Sequence, residues 1–183
     1  MAISLVKGQK ISLEKEAGGR LSKICMGLGW DVAKGGNVDL DASCLMFDSA
    51  KNLSDSVWFR QLQSKDGSVR HTGDNVTGEG EGDDEQILVD LSRVPENVQS
   101  LVFTVNSFTG QSFDVIANAF CRIVDQGSNR EIAKYTLSGG GKYTGQIMAK
   151  LYRHGGEWKM AAIGEPSTGR TFQDMLPHIK NFL

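Results

Sequence analysis

Hydrophobic residues recur at every second position through most of this 183-residue chain, and that period makes β-structure its main option. Ile24, Met26, Leu28 and Trp30 alternate with Cys25, Gly27 and Gly29. Ile87, Val89 and Leu91 alternate with Leu88 and Asp90. Ala117, Ala119, Cys121 and Ile123 alternate with Asn118, Phe120, Arg122 and Val124. Further strand candidates are residues 3–6, 10–13, 38–47, 56–59, 132–137, 147–152 and 158–163, with 101–105 a continuous apolar-rich strand. Turn signals fall roughly every 8–12 residues, as they do in sandwiches. The expected fold is an all-β antiparallel sandwich of about ten strands with short peripheral helices. Residues 110–115 suit one helical turn. Phe172, Met175, Leu176, Ile179, Phe182 and Leu183 follow near-helical spacing and read as a stripe docked on the sandwich. Thr171 and Asp174 form a weak capping box, and Pro177 is expected to kink or split this helix. With no linker and no tandem repeat, residues 1–183 read as a single domain.

The net charge of −2 offers no global basic field for nucleic acid or anionic lipid. Acidity is local instead. From Asp74 to Asp90 the chain carries Asp74, Glu79, Glu81, Asp83, Asp84, Glu85 and Asp90, with no Lys or Arg. Gly78, Gly80 and Gly82 alternate with the acids and allow sharp bends. Two carboxylates about 4 Å apart repel by roughly 4 kcal/mol at an effective dielectric near 20. A hard divalent cation reverses that sign, and oxygen ligands favour Ca²⁺ or Mg²⁺. The other reading is a solvated acidic loop.

A second acidic feature lies in Val38-Asp39-Leu40-Asp41-Ala42-Ser43-Cys44. Asp39 and Asp41 share one face of a strand, with Val38, Leu40, Ala42 and Cys44 on the other. Like charges side by side destabilise a sheet, and a shared cation is the simplest compensation. The candidate ligands are Asp39, Asp41, Asp74, Asn75, Thr77, Gly78, Glu79, Glu81, Asp83, Asp84 and Glu85, enough for two Ca²⁺ ions, with Asp31 a weaker candidate. This is not an EF-hand, because Cys44 and Ala50 stand where its Gly and Glu belong, counting from Asp39.

These motifs resemble the TerD family of tellurium-resistance and general stress proteins. The likeness runs through Ser4-Leu5-Val6-Lys7-Gly8-Gln9-Lys10-Ile11-Ser12-Leu13, Gly27-Leu28-Gly29-Trp30-Asp31, Asp39-Leu40-Asp41-Ala42-Ser43 and the acidic loop 73–85. It continues in Leu91-Ser92-Arg93-Val94-Pro95, Asn118-Ala119-Phe120-Cys121-Arg122 and Leu151-Tyr152-Arg153 with Trp158. The resemblance implies a calcium-binding β-sandwich that confers resistance to tellurite, phage or chemical stress, with no established catalysis. The expected partners are calcium and, when calcium is loaded, other tellurium-resistance proteins or a cytoplasmic membrane face, with no nucleic acid. A small-ligand (cyclic-nucleotide) binding module is the alternative, with Arg122 and Arg153 as the available phosphate-binding arginines.

Other chemistry finds little support. Gly141-Lys142 is followed by Tyr143, which breaks a phosphate loop. His71, His154 and His178 are scattered without zinc-ligand pairing, and His71, beside the acidic loop, reads as exposed, with tuning of that loop the other reading. No Ser or Cys stands at a spacing that suggests a nucleophile and its base. Cys25, Cys44 and Cys121 read as small buried hydrophobes in a reducing compartment. The first residues carry no apolar run of signal-peptide length, so the expected location is the cytoplasm.

Overall fold

The structure is a computed structural model that describes residues 2–32, 38–73, 82–137 and 141–183. Two six-stranded sheets form a sandwich. The first sheet contains β1 (Ile3–Leu5), β10 (Arg130–Thr136), β9 (Ile116–Asp125), β3 (Lys23–Val32), β7 (Glu85–Asp90) and β6 (Val69–His71), in that spatial order. The second contains β2 (Lys10–Ser12), β12 (Glu157–Ser167), β11 (Gly145–His154), β8 (Val98–Ser107), β4 (Leu40–Asp48) and β5 (Leu53–Val57). The alternating residues Ile24, Met26, Leu28 and Trp30 of β3 enter the core between the sheets. Leu40, Ala42, Cys44 and Met46 of β4 meet them from the other side.

The period-two reading therefore survives, with twelve strands among the described residues where about ten were expected. Among the described residues, the one parallel pairing is β1 with β10. It arises because the chain runs along one edge of the first sheet and then crosses to join β12 in the second.

Strands β4, β8 and β11 are buried on both faces. Their outer side chains Leu45, Phe47, Val102 and Ile147 pack under α2 (Phe172–Ile179), which contributes Phe172, Met175 and Ile179. That double burial explains the continuous apolar run at 101–105. The side chain of Asp174 accepts the Thr171 N–H at 3.3 Å and the Arg170 N–H at 2.9 Å, anchoring the start of α2. Pro177 does not split this helix. It removes one backbone donor near the C-terminal end, and the helix runs two residues further before tightening into a 3-10 turn at Lys180–Phe182. Residues 10–13 are not wholly strand either. Leu13 opens α1 (Leu13–Ala17), capped by the Ser12 hydroxyl, which accepts the Lys15 N–H at 3.3 Å.

Candidate metal centre

The cross-strand register places Asp41 beside Asn106 of β8, and Asn106 beside Gly145 of β11. In the first sheet, Leu28 of β3 lies beside Glu85 of β7. Glu85 Oε2 accepts the N–H of Ala42, the residue after Asp41, at 2.7 Å. This buried bond brings β7 and the start of β4 together across the sandwich. Of the expected ligands, Asp74, Asn75, Thr77, Gly78, Glu79 and Glu81 lie outside the described residues.

The three consecutive acids that follow point in three directions. Asp83 turns onto the outer face of the first sheet, where Arg122 holds it with Nε–Oδ1 at 2.8 Å and Nη2–Oδ2 at 3.1 Å. Its carboxyl group occupies the space a side chain on Gly27 would need, 2.3 Å from an added Cβ. Gly29 makes the same kind of room for the Phe120 ring, 2.5 Å from an added Cβ. The two glycines of Gly-Leu-Gly-Trp-Asp thus form a cradle on the outer face of β3. Asp84 turns to the end of β3 and accepts the Trp30 N–H at 2.8 Å. Burial pushes its carboxyl pKa up, and the nearby charges of Asp31 and Asp83 push the same way, against the Trp30 bond. Glu85 alone turns inward and is 1% exposed.

Asp41 is buried and Asp39 half-buried, so neither simply faces water at a strand end. Among the described residues, no group of three or more His, Cys, Asp or Glu side chains is placed to hold a metal ion. The donor chemistry nevertheless fits a hard cation. Asp39, Asp41 and Asp84 carry carboxylate oxygens, and burial, with a smaller effect of the neighbouring negative charges, already disfavours the ionised form of Asp84.

Sequence reasoning missed two residues here. His71 is 2% exposed, not on the surface, and contacts Glu85. Its signal was its place at the entry to the acidic loop. Arg122 had no local signal, because its partner Asp83 lies 39 residues away. Neither arginine of the alternative reading is poised for a phosphate. Arg122 is shared between Asp83 and Glu131, and Arg153 donates to the carbonyl oxygens of Val94, Pro95 and Val98.

The three cysteines are buried and form no disulfide. Burial pushes the Cys25 thiol up to about 11 and the Cys121 thiol up to about 12, with Cys44 higher still. They behave as small hydrophobes, not as thiolates.

Residues 1–178 match the TerD domain. The chain belongs to the TerD family. It is 50% identical to the tellurium resistance protein TerZ of Serratia marcescens, covering 94% of each chain. It is 45% identical to the stress response protein SCP2 of Bacillus subtilis, covering 96% of this chain and 98% of that one. The tellurium resistance protein TerD of Serratia marcescens is 40% identical over 92% of this chain and 93% of its own. A crystal structure of a TerD homologue from Streptomyces coelicolor A3(2) shares the fold, with a TM-score of 0.71 at 20% identity over 85% of this chain and 96% of that one. These family names are of resistance and stress proteins, and none names a catalytic activity. Among the described residues of this TerD protein, no helix is long and apolar enough to cross a membrane.

Proposed function

We propose that this TerD protein is a non-catalytic, cytosolic calcium-binding protein of the tellurium-resistance and stress type, a single domain that docks a partner protein or a membrane face when calcium is loaded. One observation carries the reading. The Glu85–Ala42 bond holds the C-terminal base of the acidic loop against the strand that carries Asp41, so the two acidic segments of the sequence share one end of the sandwich. Asp41 of β4 and Asp39, just ahead of that strand, would hold the cation from one sheet, and Asp84 with the carboxylates of loop 74–81 would hold it from the other. A divalent cation held there would supply charge neutralisation to these carboxylates.

The chain's own residues do the rest. Arg122 keeps Asp83 on the outer face and withdraws one negative charge from the centre. The Trp30 N–H fixes the direction of Asp84. A loop rich in glycine and oversupplied with carboxylates suits the irregular coordination of Ca²⁺ better than the strict octahedron of Mg²⁺.

Isothermal titration of chelator-stripped protein with each ion tests this. The expected result is one or two Ca²⁺ sites with at least about tenfold preference over Mg²⁺, roughly 1.4 kcal/mol. Equal weak binding of both ions would leave only a generic acidic patch.

A further inference from the structure

The ring of His71 is placed between the two ends of the acidic loop, and from this we infer that it is a positioning residue for the cation centre. It acts as a neutral clamp that ties Gly73 and Glu85, the residues flanking the loop, to each other and through Glu85 to β4, without contacting the ion. The inference rests on the calcium reading above and adds to it the device that presets the site.

Three hydrogen bonds define the clamp. The backbone N–H of Gly73 donates to His71 Nδ1 at 3.0 Å. A ring nitrogen that accepts carries no hydrogen, so the ring is neutral and its hydrogen sits on Nε2. Nε2 lies 3.1 Å from Glu85 Oε2 and donates to it. The same oxygen accepts the Ala42 N–H at 2.7 Å. The side chains of His71 and Glu85 are both fully buried, so water does not compete for these bonds.

The backbone explains why this ring holds both ends. The β6–β7 ladder closes at His71 opposite Ile87, with Thr72 N–H donating to Gln86 O at 3.0 Å as its last rung. Gly73 follows at φ +130°, a conformation that favours glycine, and its N–H meets the ring two residues earlier. The chain leaves for the acidic loop at Gly73 and returns through Glu85, and the ring binds both. The third contact reaches the other sheet. Strand β5 pairs with β4 only from Cys44 onward, so Glu85 takes the ladder position that a strand would fill at Ala42.

Residues that orient metal ligands from behind typically affect metal affinity by about 10–100-fold. A buried pair that only fills the core would affect stability instead. Full-length, chelator-stripped wild type, His71→Phe and His71→Gln should be titrated with CaCl₂ by calorimetry and melted in parallel. Phenylalanine keeps a planar ring, somewhat larger, and removes both bonds. Glutamine offers a carbonyl to Gly73 and an N–H to Glu85.

The expected result is a calcium dissociation constant raised about tenfold or more by His71→Phe, with most of that loss recovered by His71→Gln. Wild-type calcium affinity in His71→Phe, with only a lowered melting temperature, would overturn the clamp and leave the calcium reading standing. Absence of calcium binding by the wild type would overturn both.

Nitrogen-15 spectra of the wild-type imidazole provide a test that needs no variant. Hydrogen on Nε2 with slow exchange of the Gly73 amide supports the clamp, and hydrogen on Nδ1 overturns it.

Discussion

At one end of the sandwich, Arg153 of β11 donates to the carbonyl oxygens of Val98 at 3.0 Å, Val94 at 2.9 Å and Pro95 at 3.4 Å. Its guanidinium also lies 4.4 Å from the centre of the Trp158 ring. At the other end, Asp83, Asp84 and Glu85 leave one stretch of backbone in three directions, and the charges of Asp31 and Asp83 act against the ionisation of Asp84. The first end gives the Arg153 guanidinium three backbone carbonyl oxygens and an aromatic face. The second gathers several carboxylates close together, and Arg122 holds one of them, Asp83. A protein that satisfies all its charges internally has used them for stability. One that keeps like charges close together has kept a site for something else.

The largest effect that would break this contrast lies at the first end. Replacing Arg153 by methionine strands the carbonyl groups that receive the guanidinium and should cost about 3 kcal/mol, read by urea denaturation. The calcium-induced rise in melting temperature should be unchanged, because the two ends are independent. A lost calcium response would show that they are coupled.

The next effect lies at the acidic end. At a hundred times its dissociation constant, a ligand stabilises by about 2.7 kcal/mol. The Asp39→Asn/Asp41→Asn variant should lose most of that increment in thermal melts with and without calcium. An undiminished shift would remove these two aspartates from the centre.

Arg122→Gln sharpens the comparison. It leaves Asp83, whose side chain is 1% exposed, without its cation, and should cost about 2 kcal/mol in metal-free protein. The acidic end gains one uncompensated negative charge, so calcium titration should show tighter binding. Weaker binding would mean that the ion pair shapes the loop more than its charge opposes the ion.

The smallest effect is a pH dependence remote from the centre. Burial alone would raise the Asp55 pKa. The N–H of Lys65 at 2.7 Å, the Gln61 side-chain amide at 2.8 Å and the Ser56 N–H at 2.9 Å outweigh it and hold the pKa below the ordinary value. The stabilisation is therefore complete above the unfolded pKa of about 3.9 and is lost as pH falls through the depressed folded value. Asp55→Asn should cost about 1 kcal/mol near neutrality, and its gap to wild type should narrow below about pH 4.

What the sequence made legible follows from the range of each interaction. Strand faces were readable because alternation is local, as in Ile24, Met26, Leu28 and Trp30. The capping of α2 was readable because Thr171 and Asp174 are three residues apart. Helix α1 was missed because five residues after a serine cap carry too little pattern to outweigh an apparent strand. The outcome at Pro177 was misjudged because one lost backbone bond near the end of α2 is offset by packing of Met175 and Ile179 on the sheet. His71 was read as exposed because polar neighbours suggest surface, whereas its burial depends on Glu85 arriving fourteen positions later. The direction taken by each of the three acids at 83–85 was illegible for the same reason. Asp83 is steered by Arg122, Asp84 by Trp30 and Glu85 by Ala42, and all three lie far away in the chain.

The N-terminal strands place a constraint on time as well as on space. Ile3 pairs with Ala133 and Ile11 with Met160, so β1 and β2 have no strand to join until β10 and β12 have been synthesised. At ribosomal rates of roughly 5–20 residues per second, that wait is on the order of ten seconds. During it, β1 and β2 have unpaired backbone, and pairings this remote in sequence form slowly once they become available. The edge strands β1 and β2 are thus among the last to be paired, and the newborn domain depends most on protection from aggregation until β12 is made.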